Sequence, residues 1–189
     1  MVIDREKRVI FQECPHTGSS FVRSSLEKYN VETVDDWPYK RHTPVAQYDL
    51  ELLNIEIETY KIFYMVRHPE DRMVSFYKNC QDYMDIKLNP HDFIKSEMKN
   101  CKRLKHLTEL GSLYSVYNPY KKPNFIYLKY EDFEKSVNTV FNAFQLPIPD
   151  ISKKVNEHKE AFVLHNRTRT LINNVFHQDF IDYEYEKRK

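Results

Sequence analysis

Two short segments bring hydroxyls, cations and one glycine together at spacings that suit an anion. The first is Cys14-Pro15-His16-Thr17-Gly18-Ser19-Ser20. It follows a β-prone run at residues 8–11 and precedes a helical pattern carried by Val22, Leu26 and Tyr29. A helix N-terminus presents unpaired backbone N–H groups and a partial positive charge. Gly18 lets the chain turn and approach a ligand without a Cβ in the way, and Thr17, Ser19 and Ser20 add hydroxyl donors. The same residues also suit an ordinary serine-capped helix after a turn. The second segment runs from Val66 and Arg67 through His68, Pro69, Glu70, Asp71 and Arg72 to Ser75. Arg67 leaves a strand end and Ser75 follows eight residues later, one turn into a helix. An arginine fork with a hydroxyl suits a phosphate dianion; a capped amphipathic helix with surface charges is the plainer alternative. Arg72 is expected to pair with Asp71, Glu70 or a neighbouring element.

The elements that must hold these segments can be read from periodicity. The runs at residues 8–11, 60–66 and 125–128 read as strands, the second stopped by Pro69. Asp71 is placed to cap a helix from Arg72 towards Tyr83. Residues 92–118 look helical in pieces, and residues 30–48 irregular. Val137, Val140, Phe141 and Phe144 make a helical stripe, as do Leu171, Ile172, Val175, Phe176 and Phe180. Strands alternating with helices predict an α/β fold, a three-layer domain with a central parallel sheet flanked by helices. Ligands bind such sheets beyond the carboxyl ends of the strands, which is where both segments fall. Without repeats or linkers, residues 1–189 read as a single domain.

Composition narrows the chemistry. The 189 residues carry 29 Lys and Arg against 28 Asp and Glu, a net charge of +1. No global basic field exists for nucleic acid or an anionic membrane. Only two glycines occur, Gly18 and Gly111, where average usage would give roughly 13. Neither a GxGxxG loop nor a GxxxxGK[ST] loop can be written. Gly111 reads as a turn or helix end. Three cysteines, Cys14, Cys80 and Cys101, lack CxxC spacing, so reduced thiols in a cytoplasmic setting are expected. The N-terminus lacks a signal-peptide pattern and no 18-residue apolar stretch exists, so no membrane association is expected. The eight histidines show neither HxxxH nor HExxH, and no metal site is predicted.

Taken together, the two segments resemble the PAPS-dependent sulfotransferase family. Pro15, Thr17, Gly18, Ser19 and Ser20 match its P-K-[ST]-G-[TS]-[TS] loop, with His16 where that loop has lysine. Arg67, Pro69, Asp71, Arg72 and Ser75 match its R-x-P-x-D-R-x-x-S segment. Lys129-Tyr130-Glu131-Asp132-Phe133 resembles a later family segment. Arg41-His42-Thr43-Pro44, and Asp179-Phe180 with Tyr183, resemble features of carbohydrate-type members. The resemblance covers roughly residues 8–185.

The resemblance implies a P-loop NTPase-like sulfotransferase fold. It implies sulfuryl transfer from PAPS (3′-phosphoadenosine-5′-phosphosulfate) to a hydroxyl on a small-molecule or glycan acceptor, leaving PAP. Residues 15–20 would take the 5′-phosphosulfate, and Arg67 and Ser75 the 3′-phosphate. Arg167 and Arg169 match the place of a late basic loop, with Arg23 and Lys121-Lys122 as further candidate contacts. His42, ahead of Glu13, would be the base for the acceptor, and His16 a donor near the bridging oxygen. Gly18 would then serve the nucleotide more than the fold. The alternatives are a catalytically impaired PAP- or PAPS-binding module, kept open by His16, and a P-loop kinase-like enzyme. The missing G-K-[ST] argues against the second.

Overall fold

The computed structural model describes residues 1–34, 42–45, 50–51, 53–84, 87–100, 112, 114–115, 117–118, 121–153 and 164–188. They fall into two compact units, residues 1–66 with 117–157, and residues 67–116 with 158–189.

The first unit is built on a five-stranded sheet. Strands β1 (Val2–Asp4), β2 (Val9–Gln12), β3 (Glu32–Thr33), β4 (Lys61–Val66) and β5 (Phe125–Lys129) lie in the order β3-β1-β2-β4-β5. β2, β4 and β5 are parallel, with Ile10 opposite Ile62 and Ile62 opposite Phe125. β1 is antiparallel to both β2 and β3. The sheet is therefore mixed, which corrects the expectation of a parallel one. The cause is local: β1 and β2 are joined by a tight turn, which only antiparallel neighbours permit. Asp4 fixes that turn by accepting from the Lys7 backbone N–H at 2.9 Å and from Lys7 Nζ at 2.7 Å.

Alternate residues of the strands feed one core. Val9 and Phe11 of β2 and Phe63 and Met65 of β4 face Phe21, Val22 and Leu26 of α1 (Ser19–Glu27). Val137, Val140, Phe141 and Phe144, from α4 (Phe133–Ala143) and its end, fill the same cluster. The period-2 strand pattern and the 3.6-period helix stripe meet there. Ile3, Ile10, Ile62, Tyr64 and Val66, on the opposite strand faces, are buried too. Tyr29 lies beyond the end of α1 and is exposed, so it does not extend the helical stripe.

The second unit is helical: α2 (Pro69–Met84), α3 (Pro90–Asn100), α5 (Asn166–Val175) and α6 (His177–Asp182). α2 and α3 open on proline, which needs no N–H partner in the first turn. Asn89 caps α3 by accepting from Asp92 N–H at 3.0 Å. α2 begins at Pro69 rather than near Arg72, so Asp71 lies inside its first turn and does not cap it. The cap position falls to His68, whose Nδ1 faces the Glu70 N–H at 3.3 Å. The C-terminal apolar stripe is two helices rather than one, broken at Phe176 (φ −106°, ψ 33°). Gly111 and Cys101 lie outside the described residues; Cys14 is buried, Cys80 half-buried, and neither is in a disulfide among the described residues. Among the described residues, no helix is long and apolar enough to cross a membrane, and no cluster of His, Cys, Asp and Glu could hold a metal ion.

Candidate active site

The β2–α1 loop is shaped by two left-handed residues, His16 (φ 64°) and Gly18 (φ 76°). Thr17 and Ser19 spend their hydroxyl protons on it: both donate to the Cys14 carbonyl, at 2.8 and 2.7 Å. That corrects their role as free donors to a ligand, because a hydroxyl has one proton to give. The Ser20 hydroxyl, on a half-buried residue, makes no hydrogen bond among the described residues. α1 starts with no side-chain cap and no acidic residue in its first turn. Its first N–H groups therefore stay available to an outside anion.

Gly18 has a second constraint. A Cβ there would meet Tyr130 Cε2 at 2.8 Å and Phe133 Cε2 at 2.9 Å. These rings stack edge-on at 5.5 Å, and Phe133 meets Phe21 at the same separation. The Lys129-Tyr130-Glu131-Asp132-Phe133 segment thus forms the floor of the loop. Gly18 therefore has a packing constraint beside the role expected of it toward a nucleotide.

Glu13 and Arg23 are not placed as base and phosphate ligand. Arg23 donates to buried Glu13 at 2.8 Å and to Glu27 at 2.6 Å, with its side chain 9% exposed. A guanidinium bonded to two carboxylates already has its charge balanced. Lys122, likewise, is bonded to Glu58 at 2.6 Å. His42 is half-buried, and its segment is tied to the sheet: the Val45 N–H donates to Gln12 Oε1 at the carboxyl end of β2. His42 and residues 15–20 are thereby anchored to the same strand end. Arg41 lies outside the described residues.

The second unit collects the other predicted ligands. Arg67 follows β4, and its N–H and carbonyl both bond the Tyr114 hydroxyl, at 2.8 and 2.7 Å. Ser75 lies on α2, half-buried, and its hydroxyl makes no hydrogen bond among the described residues. Arg72 packs on a neighbouring element, one of the partners expected for it. Its guanidinium lies 4.3 Å over the Tyr114 ring, while Asp71 accepts from both terminal Arg188 nitrogens (2.5 and 2.6 Å) and Glu70 from Arg169 (3.2 Å). Arg169 is thus committed to a buried carboxylate. Arg167 is exposed and stands 3.8 Å from Asp92. His68 is structural: Nε2 lies 3.0 Å from the Glu186 carbonyl, and the ring meets Phe180 and Tyr185 edge-on. A proton on Nε2 satisfies both ring nitrogens.

Sequence reasoning missed Tyr130 and Phe133 as the loop's floor and Tyr114 as the support of Arg67. The segment holding Tyr130 and Phe133 is marked by resemblance, but nothing in the spacing sets it beneath the loop, and among 14 tyrosines nothing singles out Tyr114.

A model of the sulfotransferase domain matches residues 7–146, well over half of the chain and spanning both anion-suited segments. The chain belongs to the sulfotransferase family. This sulfotransferase domain match includes His42 and ends before Arg167, Arg169 and Asp179. No curated protein and no solved structure matched the chain closely enough to be called similar.

Proposed function

We propose that this sulfotransferase-family chain transfers the sulfuryl group of PAPS to an acceptor hydroxyl, releasing PAP. The observation that carries the reading is the start of α1: left-handed His16 and Gly18, an uncapped first turn, and no acidic residue in that turn. The N–H groups of residues 17–20 take the 5′-phosphosulfate, with Ser20 the hydroxyl left to join them. Arg67 and Ser75 take the 3′-phosphate, and Arg167 adds an outer cation. Of the two late arginines it is the better placed, since Arg169 neutralises Glu70.

In the reaction the acceptor oxygen bonds to sulfur while the bond from sulfur to the phosphate-bridging oxygen breaks. His42 takes the acceptor's proton. His16 donates to the bridging oxygen as negative charge grows there, where a donor is worth more in the transition state than in the ground state. We extend the reading to a carbohydrate acceptor, on the Arg41-His42-Thr43-Pro44 segment and the Asp179-Phe180 ending. The whole chain then acts as one cytoplasmic domain of the P-loop NTPase-like sulfotransferase kind. One feature favours a second reading, a nucleotide-binding module without turnover: His16 stands where the family's loop has lysine.

Calorimetry with PAP, 5′-AMP and ATP tests the first reading. PAP is expected to bind at least tenfold tighter than AMP, about 1.4 kcal/mol, and Arg67→Ala to abolish that preference. Equal binding of PAP and ATP, or none, rejects the nucleotide assignment.

A further inference from the structure

We infer that Tyr114 is a positioning residue for Arg67, set in place by Ser112 and Asp179. The inference rests on Arg67 being the 3′-phosphate ligand.

Arg67 is the first residue past the paired length of β4, whose ladder with β5 ends at Val66 opposite Lys129. Its backbone N–H and carbonyl need partners elsewhere. One hydroxyl supplies both: Tyr114 Oη accepts from the Arg67 N–H at 2.8 Å and donates to the Arg67 carbonyl at 2.7 Å. Two bonds from one atom fix the direction in which the arginine leaves the strand.

Tyr114 is itself held at every side. It is fully buried. The Arg72 guanidinium covers its ring at 4.3 Å, and Tyr183 meets its edge at 5.3 Å. Its backbone N–H donates to Ser112 Oγ at 3.0 Å, as does that of Ser115. Ser112 Oγ spends its proton on the buried Asp179 carboxylate in a short hydrogen bond. That uses the full capacity of the serine hydroxyl, one donor and two acceptor sites. Hydrogen bonds linked in this way through a buried hydroxyl and carboxylate hold their members in one arrangement. The chain of bonds runs from Asp179 on α6 through Ser112 and Tyr114 to the backbone of Arg67, across 112 positions of sequence. Asp179 and Tyr183 of the C-terminal ending thereby act on the phosphate contact without touching the ligand.

Tyr114→Phe removes both bonds to Arg67 and keeps the ring. Parent, Tyr114→Phe, Arg67→Ala and the double variant are titrated with PAP and with 5′-AMP. The expected result is a roughly tenfold fall in the PAP-over-AMP ratio for Tyr114→Phe, with AMP affinity held and little further fall in the double variant. General loss of folded protein lowers both affinities together and leaves the ratio unmoved. A parent that prefers PAP while Tyr114→Phe keeps that preference overturns the inference alone. A parent without preference overturns the nucleotide reading, and the inference with it. If Tyr114→Phe does not fold, Ser112→Ala is scored by the same ratio: a fall supports the inference and an unchanged ratio rejects it.

Discussion

His16 joins a backbone constraint to a chemical one. Its φ of 64° lies in the left-handed region, where histidine is found several-fold more often than most residues. A lysine at this position brings a permanent charge, but strains the backbone by about 1 kcal/mol. His16→Lys should therefore transfer sulfuryl over a wider pH range while losing some stability. His16→Ala should slow single-turnover transfer at least tenfold, since both donor and charge are gone; an Ala variant as fast as the parent removes His16 from the chemistry. Gly18 combines constraints differently. Its φ of 76° and the two rings within 2.9 Å act together on any Cβ. Gly18→Ala should cost about 2 kcal/mol in urea unfolding, and Gly18→Val more. Unchanged stability in both would mean that Tyr130 and Phe133 yield freely.

At the scale of elements, the start of α2 depends on the C-terminal segment. Arg188 forks onto Asp71 with both terminal nitrogens, and Glu186 meets His68. Burial pushes the Asp71 carboxyl up, but the Arg188 fork and the Arg67 charge outweigh it, leaving it below the ordinary 3.8. A carboxyl depressed in the folded state contributes stability above its unfolded value and loses it as pH falls through the lower folded value. Arg188→Ala should thus lower stability near neutral pH by on the order of 1 kcal/mol, discounted for partial exposure. The gap should close as pH drops below 3.8; a gap independent of pH would show that the ion pair contributes nothing. Which elements could be read in advance followed from how much local signal each carries. β4 announced itself as an apolar run, Tyr60 to Val66, closed by a proline, and α1 and α4 by their stripes. β1 and β3 did not: Val2–Asp4 and Glu32–Thr33 are too short to show alternation, and only their pairing makes them strands. The two anion-suited segments were legible because their residues are consecutive. The supports behind them, Tyr114 for Arg67 and Tyr130 with Phe133 for Gly18, were not, since contacts across 47 or more residues leave no local pattern.

At the scale of the whole molecule, a net charge of +1 hides extensive local pairing. Arg23, Arg169, Arg188 and Lys122 all face carboxylates, so their charges are balanced locally. The sheet order has a further consequence, for handling rather than catalysis. β5 stands last in that order among the described strands, and its residues Ile126, Tyr127 and Leu128 are only half-buried. Phe125-Ile126-Tyr127-Leu128 is short, apolar, β-prone and uncharged, the composition of a segment that recruits further strands when a fold loosens. Lys121, Lys122 and Pro123 before it and Lys129 after it then act as gatekeepers against self-association. Replacing Lys129 with Thr should lower the onset temperature of light scattering on heating while leaving the unfolding midpoint in urea nearly unchanged. Equal onset temperatures would remove β5 as the seed of aggregation.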